Sequence, residues 1–299
     1  MTGRGRGERP PRKVSPDRVG HADPPPLPDR LPLPVVDNHA HLDMVRDDVP
    51  SDDLETALAK ADRVGVDRVV HIACDLASIR AAATLLDRHP NVLGGMALHP
   101  NEAPRLAAAG GLDAALAEVE ALAAHPRVRV VGETGLDYYR TPEAGRPAQE
   151  ASFRAHIDLA RRTGKALQIH DRDAHADVLR VLAEEDAGEQ GEPIVLHCFS
   201  GDMAMARECI ERGYFLSFSG TVTFKGASSL RDALAVTPLD RVLVETDAPF
   251  LTPHPHRGAA NASYLIPLTV RVMAMVLNVS VPRLCEALSA NAQRCYGPW

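Results

Sequence analysis

The 299-residue chain has no run approaching the roughly 20 consecutive apolar residues that a membrane-spanning helix needs. This excludes a membrane protein of that kind. Its five cysteines, Cys74, Cys198, Cys209, Cys285 and Cys295, contain no CxxC pair, which removes the common thiolate zinc and redox motifs. The start of the chain lacks the apolar stretch of a secretory signal, so the expected compartment is the reducing cytoplasm, with the thiols acting as small buried hydrophobes. Cys198 stands apart because it follows His197. An excess of positive charge is missing too: 33 Lys and Arg against 40 Asp and Glu give −7. A broad electrostatic footprint for nucleic acid is therefore not expected. Finally, no glycine-rich phosphate loop follows the first apolar run, where the chain reads Asp37-Asn38-His39-Ala40-His41. That counts against a doubly wound dinucleotide-binding sheet.

What the chain does have is 45% apolar content, enough for a substantial core. Residues 1–34 differ from the rest, with nine of the 24 prolines and seven basic against four acidic residues. Such a segment buries too little apolar surface to offset its ordering entropy, and the sequence predicts a disordered Pro/Arg-rich extension there. It carries +3, which leaves −10 on residues 35–299, read as a single domain. In that domain short β-branched runs begin near Val35, Arg68, Val92, Val128, Ala166, Ile194, Tyr214 and Val242. Their spacing, about 30 residues, is that of a βαβ unit. Amphipathic helical spacing appears between them at Leu112, Leu116 and Val119, and at Phe153, Ile157 and Ala160. Ser51 and Asp52 are read as an N-cap, and Gly65 and Gly164 as helix stops. Eight strands alternating with helices predict an α/β fold, a (β/α)8 TIM barrel.

A barrel of this kind carries its chemistry just beyond the C-terminal ends of its strands. The polar residues there are His39 and His41 after the first strand, His99 after the third, Glu133 after the fourth, His170 after the fifth, His197 after the sixth and Asp247 after the eighth. Imidazole and carboxylate together suit divalent zinc, manganese, iron or magnesium, and the absence of thiolate disfavours a closed structural zinc site. His39 and His41 share a strand face as residues i and i+2. With Asp37 and Asp247 they make a plausible four-ligand set, and His170 and His197 supply a neighbour. That is more ligands than one tetrahedral ion takes, so two ions bridged by Glu133 is the economical account. Asp247 is then both ligand and the base that orients water.

The segments Asp37-Asn38-His39-Ala40-His41, Leu98-His99-Pro100, Gly132-Glu133-Thr134-Gly135-Leu136-Asp137-Tyr138-Tyr139, His170-Asp171-Arg172-Asp173-Ala174, His197-Cys198-Phe199-Ser200-Gly201 and Glu245-Thr246-Asp247-Ala248-Pro249-Phe250-Leu251 resemble the TatD family of metal-dependent deoxyribonucleases. The resemblance keeps order from about Val35 to Cys295. It implies a TIM-barrel hydrolase with two divalent ions, Mg2+, Mn2+ or Zn2+, cleaving DNA phosphodiesters, often as a 3′ to 5′ exonuclease on single strands. His39, His41, Glu133, His170, His197 and Asp247 fall on the family's metal-ligand positions. Ala97, Thr134 and His156 depart from its usual residues, the last standing where Gln is usual.

Two divalent ions less the charges of Glu133 and Asp247 leave a first shell of formal +2 before Arg172, Lys225 or Arg257 are counted, which favours a phosphodiester at the ions. Substrate contacts are expected from His99, Tyr138 and Arg172, with Tyr138, Tyr139, Phe199 and Phe250 as rim rings able to stack on terminal bases. At 4% aromatic content, at least half of those rings should be packing groups. Single-stranded DNA ends are the expected partner, with no membrane and no obligate protein partner evident. The rival enzyme class is an amidohydrolase acting on amides, esters or lactones. Many binuclear members of that superfamily bridge their ions with a carboxylated lysine at the end of strand four, whereas the four lysines here, Lys13, Lys60, Lys165 and Lys225, all lie elsewhere. A catalytically silent binding protein on the same scaffold would be marked by a lost ligand, and none is missing.

Overall fold

The computed structural model describes residues 23–299. Eight parallel strands, β1 (Val35–Ala40), β2 (Val66–Ala73), β3 (Val92–Met96), β4 (Val128–Asp137), β5 (Ala166–Arg172), β6 (Ile194–Leu196), β7 (Phe215–Phe218) and β8 (Val242–Val244), pair in chain order. Every strand begins within two residues of its expected start. The helices between and after them are α1 (Leu54–Arg63), α2 (Leu76–Arg88), α3 (Glu102–Ala108), α4 (Leu112–Ala123), α5 (Arg146–Thr163), α6 (His175–Glu184), α7 (Met203–Glu211), α8 (Ser228–Val236), α9 (Ile266–Val276) and α10 (Val281–Tyr296). The fold is a TIM barrel. Among the described residues no single helix is long and apolar enough to cross a membrane.

Local chemistry accounts for the helix ends. The cap of α1 is Asp53 rather than Ser51 or Asp52, because its carboxylate accepts from the Thr56 amide at 2.9 Å. Gly164 ends α5 in the left-handed region at φ 63°. Residues 1–22 of the expected extension lie outside the described residues, and its remainder is corrected: Leu31 is 2% exposed, and its amide donates to the Val64 carbonyl at 2.8 Å. Leu27 packs on the same core and Arg271 donates to the Asp29 carbonyl at 2.7 Å, so the proline-rich approach to β1 is docked.

The barrel interior is layered by the two-residue period of a strand. Val36, Val70, Leu93, Val130, Ala166, Val195, Phe215 and Leu243, one from each strand, form an apolar floor with Ala292, Cys295 and Tyr296 of α10. Two positions further along come Asn38, Gln168, His197, Ser217 and Glu245, all buried and polar. Two beyond Gln168 and Glu245 stand His170 and Asp247. Register irregularities between Asp37 and Ala40 in β1, and between Val131 and Thr134 in β4, break the alternation. They bring His39 and Glu133 inward beside Asn38 and Gly132.

The seam where the barrel closes matters most for the site. The Asp247 amide donates to the His39 carbonyl at 3.0 Å, and the His41 amide to the Ala248 carbonyl at 2.8 Å. Asp37 clamps the same seam by accepting from the Thr246 amide at 2.9 Å and its hydroxyl at 2.6 Å. Its carboxylate is thereby spent, which corrects the expectation of Asp37 as a metal ligand.

Candidate metal centre

Backbone bonds of the seam hold His39, His41 and Asp247 together. His41 Nε2 lies 3.5 Å from Asp247 Oδ1 and 3.4 Å from Glu133 Oε1. His39 Nε2 lies 3.7 Å and 3.9 Å from the same two oxygens. The other carboxylate oxygen of Glu133 faces a second group, with His170 Nδ1 at 3.0 Å and His197 Nε2 at 2.9 Å. The six expected ligands are thus brought together as two donor sets sharing Glu133. His99 reaches the second set from β3, its Nε2 4.0 Å from Glu133 Oε2.

Three of the four inner histidines have the rear nitrogen hydrogen-bonded, and that of His170 faces a carboxylate without a hydrogen bond. His39 Nδ1 meets Gln168 Oε1 at 2.7 Å, His41 Nδ1 meets the Ile72 carbonyl at 2.9 Å, His197 Nδ1 meets Glu245 Oε1 at 3.2 Å, and His170 Nε2 faces Asp137 Oδ2 at 3.4 Å. Acceptors behind a ring set its tautomer and turn the opposite lone pair into the site. His39 Nε2 is buried with no hydrogen-bond partner, and an orphaned basic nitrogen beside two carboxylates fits a cation. Burial, with His197 nearby, lowers the pKa of His39 well below the usual imidazole value. Burial alone would raise that of Glu133, but the imidazoles of His197 and His99 outweigh it and hold the group well below the carboxylate range. Burial likewise opposes charge on His197, yet Glu133 and Glu245 raise it to about 10. A neutral His39 and an ionised Glu133 are the states that metal binding requires, and His197 holds a proton that a cation would displace. His39, His197 and Glu245 also cluster closely enough to suggest a ligand set. The contact there is with Nδ1, so Glu245 orients His197 rather than joining it.

Gln168, Glu245 and Asp137 were not identified from the sequence. For Gln168 and Glu245 the signal is a polar residue two positions before an expected ligand, whereas Asp137 stands four beyond Glu133 with no such signal. Backbone conformation is also specialised here. Asp247 sits at φ 58° and Cys198 at φ 42°, left-handed values costing about 1–2 kcal/mol outside glycine. The Cys198 amide donates to Glu245 Oε1 at 2.8 Å. Gly135, at φ 137°, has no room for a side chain, since a Cβ would fall 2.2 Å from the His170 carbonyl.

Above the ligands opens a cavity of about 610 Å³. His99 and Arg172 line it as expected, joined by Arg140. Tyr138 does not line it: its ring lies under Arg146 and its hydroxyl donates to Asp177 at 2.8 Å. Tyr139 is the exposed ring instead, 56% accessible with the Arg172 guanidinium over its face. Phe250 lines the cavity and is 44% exposed, while Phe199 is buried against Phe218. Half of the four candidate rings are therefore packing groups. Lys225 and Arg257 do not line the cavity, and Arg257 covers Phe224. The lining carboxylates are Asp75, Glu102, Glu133, Asp137, Asp171 and Asp247, against Arg140 and Arg172. With neutral imidazoles, two divalent ions would bring this lining to neutrality, a less positive mouth than the ligands alone suggest. His156 is remote from it, accepting from the Leu98 amide at 3.2 Å and donating to the Ser152 carbonyl at 2.7 Å.

The chain is similar to known proteins over most of its length. The family model described as TatD related DNase matches residues 36–297. The uncharacterized metal-dependent hydrolase TatD of Mycobacterium tuberculosis is 46% identical over 269 residues, covering 88% of this chain and 98% of its own. The uncharacterized metal-dependent hydrolase YcfH of Escherichia coli K12 is 37% identical over 262 residues, covering 88% and 95%. Among solved structures, the TatD homologue YjjV of Escherichia coli K12 superposes with a TM-score of 0.79 at 24% identity, covering 89% of this chain and 98% of that one.

Proposed function

The chain belongs to the TatD related DNase family and is a metal-dependent hydrolase, and from that premise we propose that it cleaves phosphodiesters at the 3′ ends of single-stranded DNA, using two divalent ions. One observation carries the reading: two sets of donors share Glu133, one oxygen facing His41 and the other facing His170 and His197. Bound there, such ions would supply Lewis acidity, easing deprotonation of water and countering phosphoryl charge. Glu133 would hold both ions, with His39, His41 and Asp247 completing one donor set and His170 and His197 the other.

The chain's own groups provide the rest. Asp247 takes the proton of the attacking water and holds it in line. His99 accepts from the Asn101 amide at Nδ1, 3.0 Å away, so its Nε2 carries the hydrogen that faces the cavity. Burial holds its pKa near 4, and it serves as a neutral donor to a phosphoryl oxygen. Arg140 and Arg172 receive the flanking phosphate, and Tyr139 and Phe250 stack on terminal bases. A concave cavity with few cations suits a strand end better than the side of a long duplex.

The amidohydrolase alternative has less support, because Lys165 donates to the Val128 carbonyl and Lys60 pairs with Asp52 at 2.7 Å. Neither reaches the ligands. Incubating protein loaded with Mg2+, Mn2+ or Zn2+ with labelled single-stranded DNA, and in parallel with lactones, aryl esters and amides, decides between the classes. Release of mononucleotides is expected. Turnover of a lactone or amide alone would favour the alternative, and fewer than one bound ion per chain would favour a silent binding protein.

A further inference from the structure

Beneath the ligands, the polar layer and the apolar floor meet at one residue, Tyr296 of α10. Its hydroxyl donates to Asn38 Oδ1 at 2.8 Å and accepts from Gln168 Nε2 at 2.9 Å. Gln168 and Asn38 each lead to a different histidine. Gln168 Nε2 also donates to the Asn38 carbonyl at 2.7 Å, and its Oε1 meets His39 Nδ1. Asn38 Nδ2 donates to the Val244 carbonyl at 2.6 Å and to Ser217 Oγ at 2.8 Å. Ser217 donates to Glu245, whose other oxygen meets His197 Nδ1. Asn38, Gln168, Ser217 and Glu245 are fully buried, and Tyr296 is 2% exposed.

The hydrogens in this layer have one consistent direction. A backbone carbonyl only accepts, so the Asn38 carbonyl fixes the amide of Gln168, and the Val244 carbonyl fixes the amide of Asn38. A carboxylate only accepts, so Ser217 points its hydrogen at Glu245. The direction then propagates to both ends: Gln168 offers an oxygen to His39, and Glu245 offers one to His197. Each ring must hold its hydrogen on Nδ1, which leaves Nε2 for an ion.

We propose that Tyr296 is a positioning residue for both donor sets, tying the placement of His39 and His197 to a single hydroxyl at the junction of two arms. One arm runs through Gln168 to the first set; the other runs through Asn38, Ser217 and Glu245 to the second. The inference rests on the two-ion reading given above. Removing the hydroxyl leaves an N–H of Gln168 and an oxygen of Asn38 only their long mutual contact of 3.4 Å in a buried layer, and both amides lose their common anchor. Loss of such support behind metal-ligating histidines typically weakens ion binding by about 10- to 100-fold.

The test is ion retention against a graded chelator, measured by elemental analysis, with thermal midpoints of the metal-free proteins taken alongside. Wild type is expected to hold two ions at a chelator level where Gln168→Met and Ser217→Ala each hold one. Tyr296→Phe and the double variant Gln168→Met/Ser217→Ala should both hold fewer than one. A general loosening of the fold would not divide the loss between two ions in this way. Wild-type retention in Tyr296→Phe would overturn the proposal. So would a double variant that still holds one ion, since both arms would then serve the same one. If Tyr296→Phe does not fold, the single-arm and double variants decide. Fewer than two ions in wild type would instead contradict the two-ion reading.

Discussion

Gln168, His170 and Arg172 stand two residues apart along β5 and sample three environments. Gln168 is fully buried, with its amide oxygen and nitrogen both bonded. His170 is partly exposed between Glu133 and Asp137. Arg172 is exposed on the rim over Tyr139. Floor and rim thus differ in kind. Below, the polar atoms have partners that geometry dictates, and a change propagates to the donor sets. Above, long side chains rest on exposed rings and exchange partners with solvent at little cost. Under the proposed function the buried layers would set the reaction and the rim the choice of substrate, so changes in the two should affect kcat and KM differently.

The largest expected effect is at Glu133, which serves both donor sets. Glu133→Gln should reduce bound metal from two ions to fewer than one and abolish turnover, as elemental analysis and a nuclease assay would show. Retention of two ions would remove it as the bridge. Next is the effect of the ions on binding. Stripping them leaves a cavity lined by six carboxylates and two arginines, so single-stranded DNA affinity should fall at least about tenfold at low ionic strength. Unchanged affinity by fluorescence anisotropy would place binding elsewhere. On the rim, Arg172→Ala should raise KM by roughly 3- to 10-fold, consistent with an exposed phosphate contact, while kcat stays within about twofold. A fall in kcat with constant KM would move Arg172 into the chemistry.

The smallest effect on activity lies away from both regions. Burial lowers the pKa of His156 to about 4. Between pH 4 and the ordinary value of 6.5 the unfolded chain binds the proton and the native one does not, so stability falls as the medium is acidified through that window. The contribution is at most about 3.4 kcal/mol. Asp and Glu elsewhere also titrate near its lower edge, so the comparison is with His156→Gln, which should lose less stability between pH 6.5 and 4.5 in urea unfolding. Equal losses would show that His156 is not responsible.

The fold was legible because β-branched runs recur at the βαβ period, and the six clustered donors were legible because strand ends are where barrels carry chemistry. Other features depended on geometry that no local pattern encodes. Asp37 looks like a ligand in Asp37-Asn38-His39, but barrel closure brings Thr246 to it from 209 residues away. Tyr138 and Tyr139 are indistinguishable in sequence, and only the position of Asp177 on α6 shows which ring is tied down. Tyr296 reaches Asn38 across 258 residues. Glu245 stands in Glu245-Thr246-Asp247, yet its role depends on Ser217 and His197 from other strands. Periodicity reveals which face a residue takes, but not which partner waits there.

The most direct test of the central claim is to compare wild type and Asp247→Asn, each loaded with the same divalent ion, on 5′-labelled single-stranded DNA with products resolved by length. Wild type should shorten the strand from its 3′ end, and the variant should leave it intact at an unchanged thermal midpoint. Equal shortening by both proteins, or no shortening by wild type with any of the three ions, would contradict the account.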